Sequence, residues 1–252
     1  MKKVLSTLSL FGCIMLSLTA RAQQVKTYIG ISAGVMNPYS EFKQADYGTT
    51  TSPNNKAGFA KKGPVFAIDG AYYFYKNLAI AGLVSFQDQG QLNSDDETNL
   101  SNGYRENFGS YQSTVTASNR YHNINALLGP QYTFTYKGFN LDLRAMAGVV
   151  KSLSTPEIKV YLTNYNGQQI ESFTQSSSKS TAFAYAGSVG LRYNFGKVIG
   201  IALRENYVAT PTGVAITTSE RNTNTGRLVT NQRISEFQTT LGLIINLKTT
   251  EK

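Results

Sequence analysis

The sequence predicts an all-β protein, an eight-stranded antiparallel up-and-down transmembrane β-barrel. Three observations predict it. Apolar and polar residues alternate with period two in eight runs. Very short turns take turns with long polar stretches, and aromatic residues gather at strand ends. A barrel wall in lipid needs an apolar outer face, a polar inner face and aromatic girdles where hydrocarbon meets water.

The first 22 residues read as an export signal rather than as part of the fold. Lys2 and Lys3 precede an apolar run from Val4 to Leu18, and Ala20-Arg21-Ala22 is a small-x-small cleavage pattern. The expected mature domain is 23–252. Cys13, the single cysteine, lies inside the signal, in a run that continues apolar through Ile14, Met15 and Leu16. A lipidated Cys13 is the competing reading. Cleavage before Gln23 leaves no disulfide and no thiol nucleophile.

The first strand covers Thr27–Val35, with Ile29, Ile31, Ala33 and Val35 opposite Tyr28, Gly30, Ser32 and Gly34. The second runs from Pro64 to Phe74, turns at Tyr75-Lys76-Asn77, and returns through Leu78, Ile80, Val84 and Phe86. The stretch NINALLGPQYTFTYKGFNLDLRAMAGVV gives the clearest hairpin, folded at Lys137-Gly138. A matching hairpin follows, from Phe183 through Gly196-Lys197 to Tyr207, and the last strand carries Phe237, Leu241, Leu243, Ile245 and Leu247 on one face. Four polar stretches separate these pieces: Asn37–Lys62, Gln89–Ser118, Lys151–Thr181 and Thr210–Gln232. No helical period stands out in any of them. Glu157–Asn164 and Gln168–Gln175 flank the turn signal Asn166-Gly167, and Val214–Thr218 and Arg227–Thr230 flank Asn222–Gly226. Hence the barrel is expected to continue past the membrane as a partly paired sheet.

The inner faces carry Asp69, Asp142, Arg144, Arg192, Arg204 and Glu236. Buried charges must be paired or hydrated, and the bore of eight strands is just wide enough for side chains to fill. These six residues are expected to form an internal charge network; a narrow pore lined by Arg144, Arg192 and Arg204 is the competing reading. Glu205 falls on the outer face, or marks a bulge. The formal charge is +9, yet Lys and Arg are dispersed without a basic run, which argues against nucleic acid.

Catalytic and cofactor chemistry has little to work with. His122 is the sole histidine, so multi-histidine metal sites are excluded. Ser118, His122 and Glu106 are the one set from which a Ser-His hydrolase site could be assembled. Asp95-Asp96-Glu97 reads as a solvated loop tip, with Ca²⁺ binding as the rival. No phosphate-binding or dinucleotide fingerprint is present. The expectation is a non-enzyme without cofactor or metal.

The signal ending ARA, the opening YIGISAGV, the hairpins ALLGPQYTFTYKGFNLDLRAMAGV and YAGSVGLRYNFGKVIGIALRENY, and the closing TTLGLIINL carry a resemblance. Over about residues 25–247 the chain resembles the outer-membrane β-barrel domain proteins of Gram-negative bacteria, especially the small eight-stranded kind. The resemblance implies short periplasmic turns, long extracellular loops and residence in the outer membrane. It implies contact with outer-membrane lipid and lipopolysaccharide, and with the barrel-insertion machinery during biogenesis. Many such barrels end on an aromatic residue; here Leu247 is followed by KTTEK. Loops rich in Tyr, Asn, Thr and Ser, with Tyr104, Tyr111, Tyr161 and Tyr165, suit an extracellular protein or glycan ligand. The expected role is therefore structural or adhesion-like. Alternatives are a narrow channel, a lipid-modifying hydrolase, or a soluble lipocalin-like carrier built on the same strand count.

Overall fold

The computed structural model describes residues 27–45, 48–49, 52–53, 57–219 and 227–247. The export signal with Cys13, the turn at Asn222–Gly226 and the tail after Leu247 fall outside the described residues.

Alternating side chains and tight turns produce eight long strands: β1 (Tyr28–Pro38), β4 (Gly63–Tyr75), β5 (Leu78–Asp88), β7 (His122–Tyr136), β8 (Phe139–Ser154), β11 (Thr181–Asn194), β12 (Ile199–Ala209) and β15 (Ser235–Asn246). They close into a barrel in the order β1-β15-β12-β11-β8-β7-β5-β4, with every pairing antiparallel. The last strand meets the first, from Tyr28 opposite Asn246 to Pro38 opposite Glu236. Closure leaves no backbone edge facing lipid, where each unpaired N–H or C=O would be costly.

The alternation holds along the wall. In β11 every second residue from Ala182 to Arg192 is buried, while Phe183, Tyr185, Val189 and Leu191 are exposed. Glu205 faces outward in unbroken register, so no bulge is present there, and it accepts a 2.6 Å hydrogen bond from Thr239 Oγ1. The turn at Lys76-Asn77 and that at Lys137-Gly138 are tight, with Lys76, Lys137 and Gly138 all at positive φ.

Beyond the long-loop end the chain builds a head. β6 (Gln112–Ser118), β9 (Glu157–Thr163), β10 (Gln169–Ser176), β13 (Val214–Ser219) and β14 (Arg227–Gln232) form a sheet in the order β14-β13-β10-β9-β6. Two short pieces, β2 (Gly48–Thr49) and β3 (Ser52–Pro53), pair with one another. The head has its own core, in which Phe59, Leu92, Leu100, Val115, Val160 and Leu162 pack together. The strands that flank each turn signal thus pair with one another in this sheet.

One element departs from the expected organisation. Ser94–Phe108, inside the second polar stretch, is an α-helix, α1. Periodicity misses it because Leu100 is its only buried residue. End signals do define it. Asn93 and Asp96 form a capping box, with Asp96 N–H donating to Asn93 Oδ1 at 2.9 Å and Asn93 N–H to Asp96 Oδ2 at 3.0 Å. Gly109 closes the far end in the left-handed conformation. The acidic triplet Asp95-Asp96-Glu97 is therefore the first turn of this helix and not a loop tip.

The helix covers an edge. Glu97 accepts the Ala117 N–H at 2.8 Å and Ser101 donates to the Ser113 carbonyl at 2.6 Å, so α1 satisfies backbone groups of edge strand β6. Asn93→Ala should cost about 1 kcal/mol locally. Hydrogen-exchange mass spectrometry should show faster exchange confined to 94–118; unchanged exchange there would contradict the capping role.

Candidate functional site: the filled bore and the exposed head

Two regions carry chemistry, the bore and the head. In the bore, Asp142 and Arg192 lie close to the short-turn end of β8 and β11. Arg192 grips Asp142 in a fork, Nε to Oδ2 at 2.5 Å and Nη2 to Oδ1 at 2.8 Å. Arg144 donates to Asp69 at 2.8 Å, and Arg204 reaches Asp69 at 3.1 Å and Asp142 at 3.6 Å. All five are buried. Tyr28 stands among them. The Arg192 guanidinium lies 4.1 Å from its ring centroid, and its hydroxyl accepts from Arg144 and, at 3.0 Å, from Arg204. Gln131, Thr133 and Tyr73 complete the web: Thr133 donates to Asp142 at 2.7 Å, Arg144 Nε to Gln131 Oε1 at 2.7 Å, and Arg192 to the Tyr73 hydroxyl at 2.8 Å. The contributing strands are β1, β4, β7, β8, β11 and β12, so the web crosses the bore from wall to wall.

Glu236 stands apart from that web. It lies near the head end of β15, fully buried, and no cation pairs with it among the described residues. Its carboxylate instead accepts from Gln89 Nε2 at 2.6 Å, Gln238 Nε2 at 2.6 Å and Asn125 Nδ2 at 3.3 Å. The sequence placed six charges on the inner face; the geometry brings five together and gives the sixth an amide shell. Above it Phe42 and Tyr121 meet edge to face at 5.3 Å. Burial pushes the Tyr121 phenol well above its usual range, and the nearby negative charge of Glu236 adds to the effect.

The hydrolase set does not assemble. Glu106 is exposed on α1, and Ser118 is exposed at the end of β6. His122 meets other residues: Nδ1 lies 3.1 Å from Ser154 Oγ and Nε2 lies 3.7 Å from Asp88 Oδ1. A register shift beside His122 brings Ser154 opposite it, which alternation alone does not disclose. This Ser-His-Asp row sits on the outer rim, with His122 stacked on Phe86. Its protons run the wrong way for a nucleophile. Ser154 Oγ donates to the Arg120 carbonyl at 2.6 Å, so His122 Nδ1 can only donate to it. Asp88 is forked by Arg120 at 2.9–3.1 Å.

The wall shows the two girdles. Near the short turns Tyr132 with Phe134, and Tyr193 with both Phe139 and Phe195, make ring contacts at 4.8–5.2 Å. Lys76 and Lys137 cover Tyr75 and Tyr136 there. At the head end Phe237 contacts Tyr39 and Tyr207. Between the girdles the outward residues are apolar, among them Ile31, Ile68, Leu203, Leu241 and Leu243. A recess of about 690 Å³ lies on this outer surface, where Ala33 sits among Phe66, Phe86 and Leu241. Apart from Ser32 its lining is apolar, as a surface facing hydrocarbon requires. With apolar residues outside and charges within, the wall has the reverse of a lipocalin's arrangement.

In the head, Tyr111 and Tyr165 project from the end away from the barrel, 63% and 80% exposed, with ring centroids 5.1 Å apart. The turn beneath them is braced. Asn164 Oδ1 accepts the N–H groups of Asn166 and Gln168 at 3.0 and 2.9 Å, and Gly167 takes φ 74°.

Solved structures similar to the chain include Neisserial surface protein A, 12% identical over 88% of this chain and 97% of that one, with a TM-score of 0.45. The attachment invasion locus protein Ail of Yersinia pestis is 13% identical over 87% and 99%, with a TM-score of 0.42. The outer membrane protein AlkL is 16% identical over 93% and 96%, with a TM-score of 0.41. No curated protein sequence matches the chain. The family model described as outer membrane protein beta-barrel domain matches residues 6–235. With a closed eight-stranded wall, apolar outside and charged within, the chain belongs to the outer-membrane β-barrel family.

Proposed function

We propose that the protein is a membrane-anchored surface binder: the barrel holds it in the outer membrane, and the head makes contacts outside the cell. The observation that carries this reading is the exposed Tyr111–Tyr165 pair on a braced turn of a separately cored sheet. Tyrosine offers large contact area for little lost rotamer freedom, and a turn already fixed by Asn164 lowers the ordering cost of binding. Gln112 and Gln168 flank the pair and are exposed, which adds amide hydrogen bonding suited to a glycan or a polar protein surface.

Cells displaying the wild-type chain should attach to immobilised glycans or extracellular-matrix proteins. Tyr111→Ala with Tyr165→Ala should reduce attachment at least tenfold while the barrel stays folded, as judged by heat-modifiable gel mobility. Equal attachment by the double variant would reject the reading.

The bore supports anchoring over conduction. Arg192, Asp142, Arg144 and Tyr28 fill the cross-section with groups already hydrogen-bonded to one another. Purified protein in a planar bilayer should show no discrete channel events; regular conductance steps would overturn the sealed bore. The proton directions at His122 and Ser154 likewise support a role without catalysis.

A further inference from the structure

The amide shell of Glu236 has an unbalanced side. Each amide commits its NH₂ group: Asn125 and Gln238 to Glu236, Asn123 to Gln89 at 3.1 Å, and Gln87 to Ser85 at 2.6 Å. The carbonyl oxygens of Gln87, Asn123, Asn125 and Gln238 then have no donor among the described residues, and all four side chains are 0% exposed. A buried acceptor without a donor is rare and costly.

These oxygens belong to one neighbourhood. Gln87 faces Asn123 across the β5–β7 ladder, and Ser85 faces Asn125. Asn123 and Asn125 share one face of β7. Gln238 is two residues from Glu236 on the same face of β15, and both Asn125 and Gln238 touch the carboxylate directly. The group therefore holds one carboxyl group and four unsatisfied oxygens, between the buried apolar layer of Leu83, Leu127 and Met146 on the side of the arginine web and Phe42 and Tyr121 on the other.

We propose that this cluster of buried amides binds one hard, oxygen-seeking cation, held by the amide oxygens of Gln87, Asn123, Asn125 and Gln238 under the field of Glu236. The donors are all oxygen, with no imidazole or sulfur, which selects the Ca²⁺ or Na⁺ class over transition metals. An anion is repelled by Glu236, and an apolar ligand would leave the amides unsatisfied. The cation would tie closing strand β15 to β5 and β7 across the bore, which is independent of anything the head binds.

Terbium tests the site, because Tyr121 is buried beside Glu236 and can sensitise a bound lanthanide. The full mature chain is refolded in detergent with Tb³⁺, and emission is read under tyrosine excitation. The expected result is saturation at one ion per chain. Competition by Ca²⁺ alone marks a divalent site, and competition by Na⁺ a monovalent one. Glu236→Gln keeps the side-chain shape and should weaken binding at least tenfold. Gln87→Met removes one oxygen without touching any charge and should weaken it several-fold; it decides the matter if Glu236→Gln does not fold. Absence of saturable emission, or equal binding by wild type and the folded variants, would overturn the proposal. The surplus guanidinium of the web would then balance Glu236 at a distance.

Discussion

Asp142→Ala is expected to destabilise the barrel by about 3–5 kcal/mol, because it strands the buried Arg192 guanidinium and leaves Arg204 to Asp69 alone. Asp142 accepts the fork from Arg192 and lies 3.6 Å from Arg204, and it also takes the Thr133 hydroxyl proton. Asp69 already serves Arg144 and Arg204 and cannot supply a second fork. The alanine would leave Arg192 over the Tyr28 ring without its counter-charge in a site it cannot leave, since its side chain is 1% exposed. Removing both charges should be milder. An Asp142→Leu, Arg192→Met pair replaces the fork by apolar contact and should recover part of the loss. The measurement is the urea midpoint of the heat-modifiable gel shift for protein in lipid vesicles. A midpoint for Asp142→Ala within error of wild type would show that the web contributes nothing to the fold.

The architecture was legible because a barrel wall is written residue by residue. Ile29 and Ile31 against Tyr28 and Gly30, or Phe183 and Tyr185 against Ala184 and Ala186, sort the side chains onto two faces before any coordinate is known, and the structure shows the first of each set facing out. Parity also placed Asp69, Asp142, Arg144, Arg192, Arg204 and Glu236 inside. Parity gives a face but no height and no partner across the bore. Glu236 bonds to Gln89 and Asn125 at separations of 147 and 111 residues, which no local pattern encodes. The same limit hid Ser154 from His122, because a single register shift in the β7–β8 ladder sets that contact. Helix α1 was missed for a different reason. It leans on a strand edge through Glu97 and Ser101 and buries one leucine, so it has caps but almost no apolar stripe. Asn93, Asp96 and Gly109 were the available signal.

Gly34→Ala should prevent the barrel from closing. Gly34 lies in β1 at the seam, opposite Thr240 of β15 on one side and Val65 of β4 on the other. A Cβ at this position would fall 1.9 Å from the Thr239 carbonyl oxygen and 2.7 Å from the Thr240 Cα. Both obstacles are backbone, so no rotamer change relieves them. β15 would have to move away from β1, breaking ladder hydrogen bonds where the first and last strands meet. Each of those is worth about 1 kcal/mol, and overpacking of this kind costs about 3 kcal/mol at its upper end. The φ of Gly34 is not positive, so the effect is one of space and not of backbone conformation. Gly187 supplies the control. It lies in β11, where an added Cβ would meet nothing within 4 Å, and Gly187→Ala should fold like the wild type. The expected result is loss of the compact, heat-modifiable form for Gly34→Ala and its retention for Gly187→Ala. If Gly34→Ala ran as the compact form, the two strands would not approach as closely as their register requires, and closure would not depend on a bare backbone at this position.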